Sequence, residues 1–186
     1  LERFRTLDPG HPAAADIGPR LVALFEQLGR ERAAADELMS MHAAATDDEV
    51  RRVTLFRAAE LYYAGGVWPR AIATFRSYAH GFEEPADLRL EAMHHMDLLY
   101  RRTEEPGTRR FWLRKIMATV DAQDGPTTRA STLAGEAAMV LAEDVLAEFR
   151  AVAIAPPLKR SVPRKQKAMV RLIDAMQKVA SYDVPG

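Results

Sequence analysis

The sequence has no cysteine among its 186 residues. Disulfide bonds and thiol chemistry are excluded, and the redox compartment stays open. A surplus of one charge is missing too, because 26 basic residues meet 26 acidic ones. Nucleic-acid binders usually carry a basic excess, so this balance argues against that class. No apolar run reaches the ~18 residues that a membrane-spanning helix needs, and no secretory signal is present. β-Branched residues never form the alternating runs that strands require. Without strands there is no strand-to-loop phosphate cradle, and no Ser, His and Asp stand in a recognisable catalytic context. The sequence predicts no enzymatic activity and no cofactor.

What is present is helix-forming. Ala, Leu, Met, Arg and Glu dominate, and each costs little side-chain entropy in a helix. The fold class is predicted to be all-α. The Ala- and Arg-rich composition also suggests a bacterial source. The chain starts at Leu1 and ends on Val184-Pro185-Gly186, which reads as a segment of a larger protein; the compartment is left open.

An internal period organises the helices. Gly29 and Gly66 each separate two helical patterns and lie 37 residues apart. The same step relates Phe25, Tyr62 and Leu99, and also Leu38, Phe75 and Trp112. Val22, Ala59 and Met96 follow it, as do Ala34, Ala71 and Thr108. Large apolar residues map onto large ones and small onto small. Each unit reads as a helical hairpin: helix A ends near a Gly, which adopts the left-handed C-terminal conformation without steric cost, and helix B follows. Neither helix buries its apolar face alone, so hairpins must stack.

The segment Leu55, Ala58, Ala59, Tyr62, Gly66, Trp68, Ala71, Phe75 and Pro85 resembles the tetratricopeptide repeat. That family has an aromatic late in helix A, Gly at the turn, Ala early in helix B, a second aromatic four residues on, and Pro near the end. The period here exceeds the family's usual value of about 34. Val22, Ala59 and Met96 stand where the family has a Gly in helix A, and Thr103 replaces the turn Gly in the third unit. The resemblance implies a right-handed α-α superhelix of stacked antiparallel hairpins. Three hairpins are expected in residues 1–123, at about 11–45, 48–80 and 86–123. Residues 1–10 read as a frayed lead-in or the tail of a preceding helix. Thr46 to Asp48 should cap the second hairpin, with Glu49 completing a capping box from Thr46.

Beyond Gln123 the period fails. Residues 127–153 read as one long helix ended by Pro156-Pro157. A last helix is expected over 163–180, with Met169, Leu172, Ile173 and Met176 on one face. Residues 124–186 would therefore cap the stack or join further domains.

The family resemblance also implies a role: a scaffold that binds a protein or peptide on its concave, helix A face, within a multi-protein bacterial assembly. The 37-residue step assigns that face to Arg57, Glu60 and Tyr63 in the second hairpin and to His94, Asp97, Tyr100 and Arg101 in the third. Tyr and Arg are enriched in binding hot spots. Tyr63 and Tyr100 would be an exposed anchor pair. A second surface is the basic run Lys159, Arg160, Arg164, Lys165 and Lys167. From Pro156 to Gly186 seven basic residues face two acidic ones, a surplus of five that suits an acidic partner.

Two rival readings start from other features. The chain could be a structural spacer within a larger helical protein. Arg89 and His94 have the Arg-x-x-x-x-His spacing that resembles the small helical HEPN ribonucleases. Glu91 and His94 share the Glu-x-x-His spacing of di-iron bundles, but no second copy exists in the sequence, so no metal site is predicted.

Overall fold

The computed structural model describes residues 16–182. The expected lead-in and the first residues of the first hairpin lie outside the described residues. Among the described residues the protein is all-helical, with eight helices. They are α1 (Ile17–Gln27), α2 (Glu31–Ala44), α3 (Asp48–Ala64), α4 (Trp68–Gly81), α5 (Ala86–Arg102), α6 (Pro106–Asp121), α7 (Thr128–Ala151) and α8 (Leu158–Ala180). They form two compact units, Leu1–Pro85 and Ala86–Gly186. The third hairpin thus groups with the C-terminal helix pair, and the compact units divide after Pro85 rather than after Gln123.

In the first unit α1 packs on α2, α2 on α3, and α3 on α4. The approach is close because small residues line it: Ala34, Ala35, Ala58, Ala59 and Ala71 are fully buried. Aromatics fill what remains. Phe56 meets Phe75 edge-on at 6.0 Å and Tyr78 at 4.9 Å, the arrangement that ring quadrupoles favour. A polar knot ties three helices together. The Tyr62 hydroxyl donates to Asp36 at 2.6 Å, and Arg70 donates both to Asp36 and, at 2.9 Å, to the Tyr62 oxygen. The cap of α3 is Asp47, not Thr46. Its carboxylate accepts from the Glu49 and Val50 amides at 2.8 and 3.1 Å, which satisfies two of the donors a helix start leaves open.

In the second unit α6 packs between α5 and α7, α5 also touches α7, and α8 packs on α7. Thr127 caps α7 by accepting from the Ala130 amide at 3.1 Å. The long helix ends at Ala151, before Pro156-Pro157. The last helix starts at Leu158, five residues earlier than expected, and holds Pro163 inside it. Pro163 lies only in its second turn, so the N–H that proline lacks is missed near the helix start.

The turns correct the repeat register. The left-handed residues between paired helices are Gly29 (φ 62°), Gly66 (φ 70°) and Glu104 (φ 57°). In each turn the amide after the left-handed residue reaches back to a carbonyl: Arg30 to Phe25 at 2.8 Å, Val67 to Tyr62 at 2.9 Å and Glu105 to Tyr100 at 3.0 Å. These are one bond repeated three times. The step from Gly66 to Glu104 is 38 residues, not 37. The extra residue lies in the connection between α4 and α5, residues 82–85, where the α2–α3 connection has only residues 45–47.

Counting from the turns changes the equivalences. Tyr62 matches Tyr100, and Phe75 matches Leu113 rather than Trp112. The burial pattern agrees. Ala58 and Met96, Ala59 and Asp97, Tyr62 and Tyr100, and Tyr78 and Ile116 are buried in both members of each pair.

Candidate protein-binding face

The face of helix A turned away from the core can be read in each unit by itself. In the first unit it carries Glu26 on α1 and Arg57, Glu60 and Tyr63 on α3. Arg57 lies across both helices. It donates to Glu26 at 2.5 Å and to Glu60 at 3.2 Å. Burial works against its charge, but the bonds to the two carboxylates outweigh burial and raise its pKa. Half of the Arg57 side chain stays exposed, and Tyr63 is half-buried. A guanidinium held by two carboxylates is a prearranged group, and it costs less entropy to order on binding.

In the second unit the same outward positions fall elsewhere than the 37-residue step predicts. Arg101 is exposed and His94 half-buried, but Asp97 and Tyr100 are buried. The one-residue shift is the cause. Tyr100 occupies the core position of Tyr62, and Asp97 that of Ala59. By the turn register, Arg57 corresponds to His95, Glu60 to Leu98 and Tyr63 to Arg101. Tyr63 and Tyr100 are therefore not an exposed pair. The sequence did hold a signal for the shift. Helix B starts two residues after the left-handed residue at Glu31 and Trp68. Pro106, a favoured first helical residue, points back to Glu104 in the same way.

On the same face α5 is tied to α7. Arg129 grips the Glu91 carboxylate with two bonds, at 2.6 and 3.1 Å. Those bonds are the main reason the Glu91 pKa is lowered; burial opposes them, and the Arg129 charge with His94 and His95 adds to the lowering. The carboxylate of the Glu-x-x-His spacing is thus engaged by an arginine. Among the described residues no three His, Asp or Glu side chains gather as a metal site would require. No described helix is long and apolar enough to cross a membrane.

The basic run divides. Lys165 is half-buried. Its ammonium lies 3.6 Å from the centre of the Phe149 ring and donates to the Phe149 carbonyl at 2.6 Å. A cation on the last carbonyls of α7 also suits the helix dipole. Lys165 therefore fastens α8 to α7. Lys159, Arg160, Arg164 and Lys167 remain exposed.

Beside them is the apolar face that the sequence pattern placed on the last helix. In α8 Ala168 is buried and Leu172 and Val179 are half-buried, while Met169, Ile173 and Met176 face outward. Comparison with known protein families, characterised proteins and solved structures finds no match to this chain.

Proposed function

We propose that the protein is a scaffold for protein–protein interaction, built from tetratricopeptide-like hairpins and part of a multi-protein bacterial assembly. The observation that carries this reading is the Glu26–Arg57–Glu60 arrangement beside Tyr63. It holds an arginine between two carboxylates across α1 and α3, with the half-buried Tyr63 on the same helix, and Arg and Tyr are hot-spot residue types. The repeated turn supports the repeat reading, because three turns close with the same hydrogen bond.

The test uses the whole chain and a variant in which Arg57→Ala and Tyr63→Ala are combined, both checked for helix content by circular dichroism. Each is used to capture partners from the source cell, and binding of any captured partner is then measured with purified components. Loss of a central anchor should weaken binding by about 2 kcal/mol or more, roughly thirtyfold. Equal binding by both proteins overturns the assignment of the face, and Lys159, Arg160, Arg164 and Lys167 become the next surface. No partner for either protein favours the spacer reading.

A further inference from the structure

Helices α6 and α8 both pack on α7, and their side chains meet across it. At one end Lys178 of α8 donates to Asp121, the last residue of α6, at 2.8 and 2.9 Å, and the Tyr182 hydroxyl donates to the same carboxylate at 2.9 Å. Toward the other end two carboxylates of α7 are taken from opposite walls. Asp144 accepts from Arg110 of α6 at 2.6 Å, and Glu148, one turn on, accepts from Arg171 of α8 at 3.3 Å. These bridges mark out a groove with α7 as its floor and α6 and α8 as its walls. Leu141 and Val145 stand on the same stripe of α7 as Glu148 and are half-buried, so part of that floor is apolar.

The walls carry more positive charge than the floor neutralises. Arg114 lies one turn after Arg110 on α6. Bonds from Arg110 chiefly hold the Asp144 carboxyl low, and the charge of Arg114 adds to that effect. On α8, Arg160 and Arg164 precede Arg171 by eleven and seven residues, so all three share one stripe. Arg114, Arg160 and Arg164 are exposed, and none of them joins an ion pair among the described residues. In this unit bases of one helix repeatedly meet carboxylates of another: Arg110 with Asp144, Arg171 with Glu148 and Lys178 with Asp121. The three remaining arginines are left without one.

Charge selects an anionic occupant, and the floor narrows the choice. A nucleic-acid strand carries a phosphate at every step, and some of these would fall against Asp144 and Glu148. A peptide can place neutral or basic side chains there and carboxylates opposite the arginines. A membrane surface would need the basic and apolar sides of α8 together. Met169 and Ile173 follow Arg160 and Arg164 by nine residues each, about two and a half turns. The apolar ridge and the arginine stripe therefore point in opposite directions.

We propose that the groove between α6 and α8 binds an acidic peptide segment of a partner protein. Its carboxylates pair with Arg114 on one wall and with Arg160 and Arg164 on the other. The last two are one turn apart, about 6 Å along the axis, which sets the spacing of the carboxylates that meet them. A guanidinium suits this role because it takes a carboxylate with two parallel bonds. These arginines belong to the second unit, whereas Arg57 and Tyr63 belong to the first, so the proposal stands apart from the A-helix face.

Fluorescence anisotropy on the intact chain tests this with a short labelled peptide that carries glutamates one helical turn apart. One variant combines Arg114→Gln and Arg164→Gln, a base from each wall. A control combines Lys115→Gln and Lys159→Gln. It removes the same charge from the same two helices, at positions turned about 100° away from Arg114 and Arg160. Circular dichroism checks that the helices persist in each. The parent should bind the peptide, and the groove variant should bind it roughly tenfold more weakly. The control and the Arg57→Ala, Tyr63→Ala variant should bind as the parent does. No binding by the parent overturns the proposal. An equal loss in the control also overturns it, since overall charge alone would then hold the peptide. So does tighter binding of a single-stranded oligonucleotide of equal charge, lost in the groove variant, which would assign the groove to nucleic acid.

Discussion

Arg109 and Asp97 meet inside the third hairpin, with the guanidinium Nε donating to Oδ1 at 2.6 Å. Counted from the turns, these positions are Ala71 and Ala59 in the second hairpin, both fully buried. The second hairpin holds two buried methyl groups at these positions, and the third holds an ion pair whose side chains are 20% and 10% exposed. The ion pair fills the same two positions in a different way. Burying it costs desolvation that the attraction between the charges only partly offsets.

That relationship predicts an asymmetry between single and double substitution. Arg109→Ala alone strands the Asp97 carboxylate in a nearly closed site, and this should cost about 3 kcal/mol or more. Combining Asp97→Ala with Arg109→Ala recreates the alanine pair of the second hairpin and should recover most of that loss. Urea unfolding of the two single variants, the double variant and the parent measures the coupling. Additive losses would mean the two side chains are held by other neighbours and not by each other.

A second expectation concerns acid. The Glu91 carboxyl is held below its ordinary value of 4.5 chiefly by hydrogen bonds from Arg129. Asp144 is held low chiefly by its bonds from Arg110, at 2.6 and 3.3 Å. When a folded-state pKa is depressed, the unfolded chain binds more protons through the window between the two values. Stability is then fully present above the unfolded value and falls as pH drops through the folded one. The urea midpoint should therefore decline from about pH 5 downward. Glu91→Gln should make that decline shallower while lowering the neutral-pH midpoint. Both pairs are partly exposed, so added salt should shrink the difference between Glu91→Gln and the parent. A Glu91→Gln variant with the parent's acid profile would remove the pair from the account.

How much of this was legible follows from which residues carry the information. The helices were legible because strong helix formers fill them, and because Gly29 and Gly66 mark two turns in plain view. The third turn was hidden. Glu104 adopts there the conformation that glycine adopts in the other two, and nothing in a glutamate's identity announces it. The extra residue in the connection at 82–85, which that turn would have revealed, moved Asp97 and Tyr100 from the predicted surface into the core and brought Leu98 and His95 out toward it. Lys165 stood in the basic run assigned to an acidic partner, but its partners, the Phe149 ring and carbonyl, belong to another helix. Met169, Ile173 and Met176 show an apolar stripe in the sequence. A stripe says that a face seeks cover, and not which neighbour supplies it.

The turn itself supplies the last prediction, because it separates the two registers. A left-handed conformation costs a residue with a Cβ about 1 kcal/mol or more relative to glycine. Glu104 bears that cost, and Gly66 escapes it. Glu104→Gly should therefore stabilise the protein by about 1 kcal/mol, less whatever the more flexible unfolded chain takes back. Gly66→Ala should destabilise it by a similar amount. Thr103 is the residue that a uniform 37-residue period would place at the turn, yet it is not left-handed. Its hydroxyl donates to the Glu105 carboxylate at 3.3 Å, a bond that Thr103→Gly removes while also loosening the unfolded chain. The two glycine substitutions, one residue apart, should thus have opposite signs. Thermal and urea unfolding of both variants against the parent decides the matter. Stabilisation by Thr103→Gly together with destabilisation by Glu104→Gly would restore the 37-residue register, and with it the pairing of Tyr63 with Tyr100.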